Sequence, residues 1–474
     1  MRTRFKKSFL LSFLIAVIGL VSTGWLPAQT FTTLHHFTGS DGSSPYGDLI
    51  LSGSTLYGTT GYGGPAGQGV IFAMNIDGSS FTNLHAFNGS DGSNPNAKLI
   101  LTGNRLYGTS EFGGSNGNGT IFGINTDGTG FTNLYHFSAT VSGINGDGTG
   151  IQGGLALSGN RLYGTATFGG SARGGTIFSI NTDGTGFANL HNFGSAGYPS
   201  ASLILSSNVL YGTSSGGGDN GAGAVFAINT DGTGFTNLYS FSPSIFTFTY
   251  GYFAYTNSDG AYPQCILVLS SNRFYGTTPQ CGTADRGTVF AVNVDGTGFM
   301  KLHDFSPTTS YTNSDGQRPD AGVVLSGNTL YGTTEYGGST GNGVVYAVNT
   351  DGSSFVTLHA FSETTAPAPH TNIDGGGGYA GLILSSNTLY GVAFYGGATG
   401  NGTIFSISLP TASAPALNIV PSGGSVVLTW PAEPAGYNLQ TAPAITGTFT
   451  NIPGATSPYT NVISGPQQFF RLSQ

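Results

Sequence analysis

The chain has 474 residues, 80 of them glycine, with 12% aromatic and only 7% charged residues. A disordered chain lacks the apolar groups that offset ordering entropy, so the aromatic content excludes that reading. The formal net charge is −8, and the one cluster of cations stands at the N-terminus, which excludes nucleic acid as a partner because neutralising phosphates needs clustered cations.

That cluster opens the chain. Arg2, Arg4, Lys6 and Lys7 precede an apolar run from Phe9 to Val21, and Leu26-Pro27-Ala28 closes the segment. This is the layout of a secretory signal, with residues 1–28 removed by cleavage after Ala28. The apolar run is shorter than the about 20 residues that a bilayer span takes, with a retained anchor as the alternative reading. The mature chain is expected to be secreted, extracellular or at the cell surface, with no membrane span.

A repeat follows. Leu/Phe-Tyr-Gly recurs seven times, with its tyrosine at Tyr57, Tyr107, Tyr163, Tyr211, Tyr275, Tyr331 and Tyr390. Fifteen residues after each lies an aromatic that ends a Gly-Thr-Ile-Phe-like run, from Phe72 to Phe405. Nine residues further begins Phe-Thr-Asn-Leu-His-x-Phe or a variant, at Phe81 and at five later positions. Short runs of β-branched and aromatic residues bounded by Gly, Asn, Asp and Ser read as strands. The first repeat then holds strands a (49–51), b (55–60), c (70–75) and d (81–87).

Four antiparallel strands repeating every 48 to 64 residues suggest a propeller blade, with a β-solenoid as the competitor. The phase of the repeat separates them. The mature chain opens on a lone d strand, Phe31 to Phe37, and the last repeat stops at Leu409-Pro410 without one. A ring closed by joining the two ends in one blade explains this and removes free sheet edges. The expected fold is all-β: a seven-bladed β-propeller over residues 31–409, closed by the N-terminal d strand. All length variation falls between strand d and the next strand a, so insertions collect on the face that carries the d–a and b–c loops. Variable loops on a rigid scaffold are where binding usually lives.

Leu-Tyr-Gly-Thr, Gly-Gly-x-x-Gly-x-Gly-Thr-Ile-Phe and Asn-Thr-Asp-Gly-Thr-Gly-Phe resemble the GloVer tandem repeat of secreted proteins from Gloeobacter- and Verrucomicrobia-like bacteria. The resemblance covers residues 31 to 409. It implies an extracellular or surface location and no known reaction. After a linker at 410–415, residues 416–474 are expected to form a small β-sandwich. Val427-Leu-Thr-Trp430-Pro and Gly436-Tyr-Asn-Leu look like strands B and C of a fibronectin type III module, in a chain short for one.

Six d–a loops carry Asp before Gly, at Asp41, Asp91, Asp147, Asp259, Asp315 and Asp374. They are expected to shape turns, with a ring of cation ligands at the channel mouth as the competing reading. Calcium is the weak alternative to no cofactor at all, and the c–d turn aspartates lack the Glu that an EF-hand loop requires. Glu111 and Glu335 occupy equivalent b–c positions but stand in separate repeats, too far apart for a glycosidase pair. The d-strand histidines alternate with tyrosines and read as packing positions. The b–c loops carry aromatic-Gly-Gly at Tyr62, Phe112, Phe168, Tyr336 and Tyr395, either packing over the next blade or offering flat faces to a ligand.

The longest insertion alternates aromatic residues about Gly251. It suggests a hairpin presenting Phe246, Phe248, Tyr250, Tyr252 and Tyr255, unless the hairpin buries its own rings over the channel. Cys265 and Cys281, the only cysteines, are expected to form a disulfide in an exported chain. The resulting expectation is a monomeric, non-catalytic binding or surface-structural protein that takes a neutral glycan or a protein partner. A polysaccharide-degrading hydrolase or lyase is the alternative.

Overall fold

The computed structural model describes residues 29–141, 145–249, 252–365, 368–410, 417–422, 425–430, 438–443, 447–462 and 468–473. The expected signal segment, most of the linker and Tyr250 lie outside the described residues. The architecture is all-β, with no helix among the described residues and many small antiparallel sheets in a propeller-like succession.

The Leu-Tyr-Gly-Thr and Thr-Ile-Phe texts become the two central strands of each sheet. In the first, Ile50–Ser52, Thr55–Tyr62, Val70–Asn75 and Thr82–Ala86 pair in that order, and Ser43–Pro45 lies alongside the end of Thr55–Tyr62. Five further sheets repeat the order. Another combines distant parts of the chain: Ile383–Ser385, Thr388–Ala393, Thr403–Ser408 and Thr30–His36. In it Thr33 faces Phe405 and Phe31 faces Ile407. Every residue of strand c except the last is buried, because both faces of the sheet are covered. That is why these strands read as continuous apolar runs rather than alternating ones.

Each letter of the repeated text has a structural task. The glycine of Leu-Tyr-Gly-Thr lies under the strand-c ring: a Cβ on Gly58 would stand 2.5 Å from the Phe72 ring, and the same crowding recurs at Gly108, Gly164 and Gly391. The threonine hydroxyl donates to a backbone carbonyl of the following repeat, as from Thr59 to Ala97 (3.3 Å) and from Thr277 to Ala321 (2.8 Å). Seven apolar clusters bridge successive sheets. One joins Tyr57, Ile71 and Phe87 to Leu99, Leu106 and Phe122. Another joins Tyr390 and Ile404 of the last repeat to Leu49, Leu56 and Phe72 of the first.

The outermost strand holds a feature that the sequence did not announce. Its register slips by one residue in every repeat, which leaves Leu34, Leu84, Leu134, Leu190, Leu238, Leu302 and Leu358 without an opposite residue. The bulge turns the following His or Tyr onto the next repeat. Seven stacked pairs result, from His35 on Phe81 (3.9 Å between centroids) to His359 on Phe31 (3.8 Å).

Residues 29–409 form one compact unit, and the C-terminal segment belongs to the other. Within the latter, Asn418–Ser422, Ser425–Thr429 and Tyr459–Val462 form one three-stranded sheet, and Asn438–Ala442, Thr450–Asn451 and Phe469–Ser473 form a second. Leu428 and Leu439 are buried. Tyr459–Val462 is a strand that the sequence reading lacked.

Candidate binding site

The d–a and b–c loops meet through short backbone pairings: Ser93 with Phe112, Thr149 with Phe168, Gln317 with Tyr336 and Gly376 with Tyr395. This loop face carries the candidate residues.

The six d–a aspartates stand beside the outermost strands. Nε2 of His35, His85, His303 and His359 lies 2.8–3.1 Å from Oδ2 of Asp41, Asp91, Asp315 and Asp374. The Tyr135 and Tyr239 hydroxyls donate to Asp147 and Asp259 at 2.7 and 2.6 Å. Backbone amides such as those of Thr38 and Ser306 donate to the same carboxylates. The carboxylates thus fasten each loop to its own sheet. No three metal-ligating side chains gather among the described residues.

A small cavity is lined by a different position, two residues after a backbone turned to positive φ. Ser44, Asn94, Gly150, Tyr198, Tyr262, Arg318 and Gly377 have φ between 51° and 72°. Two residues on, Tyr46, Asn96, Gln152, Ser200, Gln264, Asp320 and Tyr379 surround a cavity of about 90 Å³. This ring is polar, and every member but the two tyrosines and the two glutamines differs from the rest. The sequence reading missed it, because the position follows a loop of variable length.

Asp320 was missed with the ring. Its side chain is 10% exposed and that of Glu335 2%. Burial holds Asp320 well above the ordinary carboxylate range, the neighbouring Glu335 adds to this, and Arg318 opposes it. Arg318 Nε lies 3.1 Å from Glu335 Oε2 but poorly aligned, and neither atom has a hydrogen-bond partner among the described residues. Asp320 Oδ2 is likewise without one. The Tyr379 hydroxyl donates to Glu335 Oε1. The Tyr379 ring stacks on Tyr46 at 5.2 Å and meets Phe394 edge-on at 4.8 Å. Glu111 is held separately by Asn96 (2.8 Å) and Gln152 (2.9 Å).

Beside this network opens a cleft of about 840 Å³, lined by Arg286, Thr308, Ser310, Tyr311, Gln317, Tyr336, Thr340, Asn342 and Tyr395. The structure therefore brings Tyr336 and Tyr395 into one site, with the Tyr395 hydroxyl 3.3 Å from Asn342 Oδ1. Burial raises the pKa of both phenols. Their counterparts Tyr62, Phe112 and Phe168 are exposed, at 51%, 45% and 46%. The Phe168 ring meets Tyr198 edge-on at 5.7 Å.

The insertion is a hairpin of Ile245–Thr249 and Tyr252–Thr256, with Phe246 opposite Tyr255 and Thr249 opposite Tyr252. Phe246, Phe248 and Tyr255 are more than half exposed, so these rings are not folded into a core. The expected disulfide is corrected: Cys265 and Cys281 are both free and buried. Cys265 Sγ accepts from the Thr277 amide at 3.1 Å, whereas Cys281 lies four residues past Thr277, in the b–c loop. Burial pushes both thiols up, Cys281 to about 12 with help from Asp285 and Asp259.

A repeated text carried by paired sheets, with loops gathered on one face, defines a tandem-repeat scaffold. The chain belongs to the Gloeobacter/Verrucomicrobia repeat family, whose model matches residues 19–196 and 241–420. No curated protein matches it. Among solved structures, it is similar to an oligogalacturonate lyase from Vibrio parahaemolyticus, at 10% identity over 81% of this chain and 98% of that one (TM-score 0.47). It is similar to a putative 6-phosphogluconolactonase from Bacteroides uniformis, at 16% identity over 66% of this chain and 84% of that one (TM-score 0.41). A chain of a nidogen/laminin complex is 16% identical over 56% of this chain and 81% of its own length (TM-score 0.35). Likeness this distant carries no function across.

Proposed function

We propose that the chain is an exported, monomeric, non-catalytic binding protein, a closed seven-bladed propeller that holds a neutral glycan on its loop face. The cleft between Tyr336 and Tyr395 carries the reading. It combines flat aromatic faces, which suit the C–H faces of a sugar, with the hydroxyls and amides of Thr308, Ser310, Gln317, Thr340 and Asn342. Pairing of Thr30–His36 with Thr403–Ser408 supports ring closure. The positive n-region, the apolar run and Ala28 support export. The two small C-terminal sheets support a sandwich of fibronectin type III kind. Phe246, Phe248 and Tyr255 add an exposed contact patch for the glycan or a protein partner.

A polysaccharide-degrading enzyme is the second reading. Asp320 and Glu335 favour it, since two neighbouring carboxyls, one of them held well above the ordinary carboxylate range by burial, are equipment suited to acid–base catalysis. A neutral-glycan array combined with a reducing-end assay tests both. Binding without new ends is expected, and Tyr336→Ala or Tyr395→Ala should weaken it about tenfold, the loss of one good stacking contact. New reducing ends support the enzyme, and an array on which nothing binds overturns both readings.

A further inference from the structure

The aromatic position of the b–c loop is not needed for the fold. Gly216 and Gln280 occupy it in two repeats, and the same loop pairing closes there: the Gly216 amide donates to Gly197 at 2.9 Å, and that of Ala261 to Gln280 at 2.9 Å. Where the ring is present it is displayed on a fixed backbone. Phe112 and Ser93 exchange hydrogen bonds of 3.1 and 2.8 Å, and Phe168 and Thr149 exchange two of 3.0 Å.

The repeats that carry a ring are neighbours in space. Tyr336 and Tyr395 stand on sheets joined by one apolar cluster, a second cluster joins the sheet of Tyr395 to that of Tyr62, and two more lead on to those of Phe112 and Phe168. The rings therefore form an arc that begins in the cleft and continues as an exposed row. The two repeats without a ring interrupt it. After Tyr62, Phe112 and Tyr395 the loops read Gly-Gly-Pro-Ala-Gly-Gln, Gly-Gly-Ser-Asn-Gly-Asn and Gly-Gly-Ala-Thr-Gly-Asn, with no charged side chain, while the loop after Phe168 carries the exposed Arg173 at the far end of the row. Apart from Arg173 at that end and Arg286 in the cleft, the row offers little to a charged partner. It offers a succession of flat apolar faces separated by amides, hydroxyls and open backbone, and pre-organised rings lose little freedom on binding.

We propose that the ligand is an extended neutral polysaccharide chain, running from the cleft across Tyr62, Phe112 and Phe168, with successive sugar faces stacked on successive rings. This rests on the glycan reading above and adds to it that recognition grows with chain length.

The test is calorimetric titration of the full chain with cello-, xylo- and malto-oligosaccharide ladders, from disaccharide to octasaccharide. Affinity for the recognised ladder is expected to rise by about tenfold or more with length and then level off, a few-fold per ring engaged. The Phe112→Ala/Phe168→Ala variant should lose that gain without a lower melting temperature, and Tyr336→Ala should weaken every length. Equal affinity at all lengths, or a double variant that binds the longest chain like the wild type, overturns the track and leaves the cleft standing. Failure of every ladder to bind overturns both.

Discussion

The hydroxyl of Tyr346 is fully buried and has no hydrogen-bond partner among the described residues. Its ring fills the place that Phe takes in the other six repeats, edge-on to Phe305 at 5.5 Å and stacked on Phe355 at 5.4 Å. A buried hydroxyl stripped of water without a new partner costs about 1–3 kcal/mol, while the ring itself packs as phenylalanine would. Tyr346→Phe is therefore expected to stabilise the protein by about 1 kcal/mol or more, read as a higher midpoint in denaturant unfolding at unchanged slope. A lower midpoint would show that the hydroxyl has a partner after all. The same comparison between repeats separates scaffold from site. Glycine under the strand-c ring and threonine facing the next repeat hardly vary, whereas the ring of Tyr46, Asn96 and Asp320 varies freely.

At the scale of strands and turns, the c–d turn proves to be a joint between repeats. Asp77 Oδ1 accepts from the Ser79 amide and hydroxyl at 2.9 and 2.6 Å, and the other c–d turns repeat this. The glycine after the aspartate meets the bulged leucine of the preceding repeat. A Cβ on Gly296 would lie 2.0 Å from the Leu238 carbonyl oxygen, at a φ of +83°. Gly53, in an a–b turn with φ +59°, has nothing within 4 Å. Gly53→Ala should cost only the left-handed backbone strain, about 1–2 kcal/mol. Gly296→Ala should cost clearly more and separate the two sheets, which comparison of the two melting temperatures will show; equal losses would mean that the turn is merely local. The strands and their order were legible because β-branched and aromatic runs alternate with Gly/Asn/Asp turns at fixed spacing. The bulge was not, since a one-residue slip leaves the apolar text unchanged. The polar ring was not, because it sits just past a loop whose length hides the alignment, and the carboxyl partner of Glu335 stands in one repeat only. The cysteine pair misled because two cysteines in an exported chain need not bring their sulfurs together: both are buried and free.

For the repeat unit as a whole, the proposed site and its arc depend on adjacency between the last and first repeats. Tyr395 and Tyr62 are neighbours only if the sheet completed by Thr30–His36 packs on the first sheet, as the cluster around Phe37, Leu49 and Tyr390 indicates. An open stack of the same repeats would put these rings at opposite ends. Thr30 faces Ser408 across the joining strands, and both are exposed. The native cysteines are buried, so a new pair at the surface can be followed separately. The decisive measurement is non-reducing peptide mass analysis of the Thr30→Cys/Ser408→Cys variant after mild oxidation at low protein concentration. A closed ring gives an intramolecular disulfide joining the first and last strands in nearly every molecule, and an open array gives two unpaired thiols at those positions.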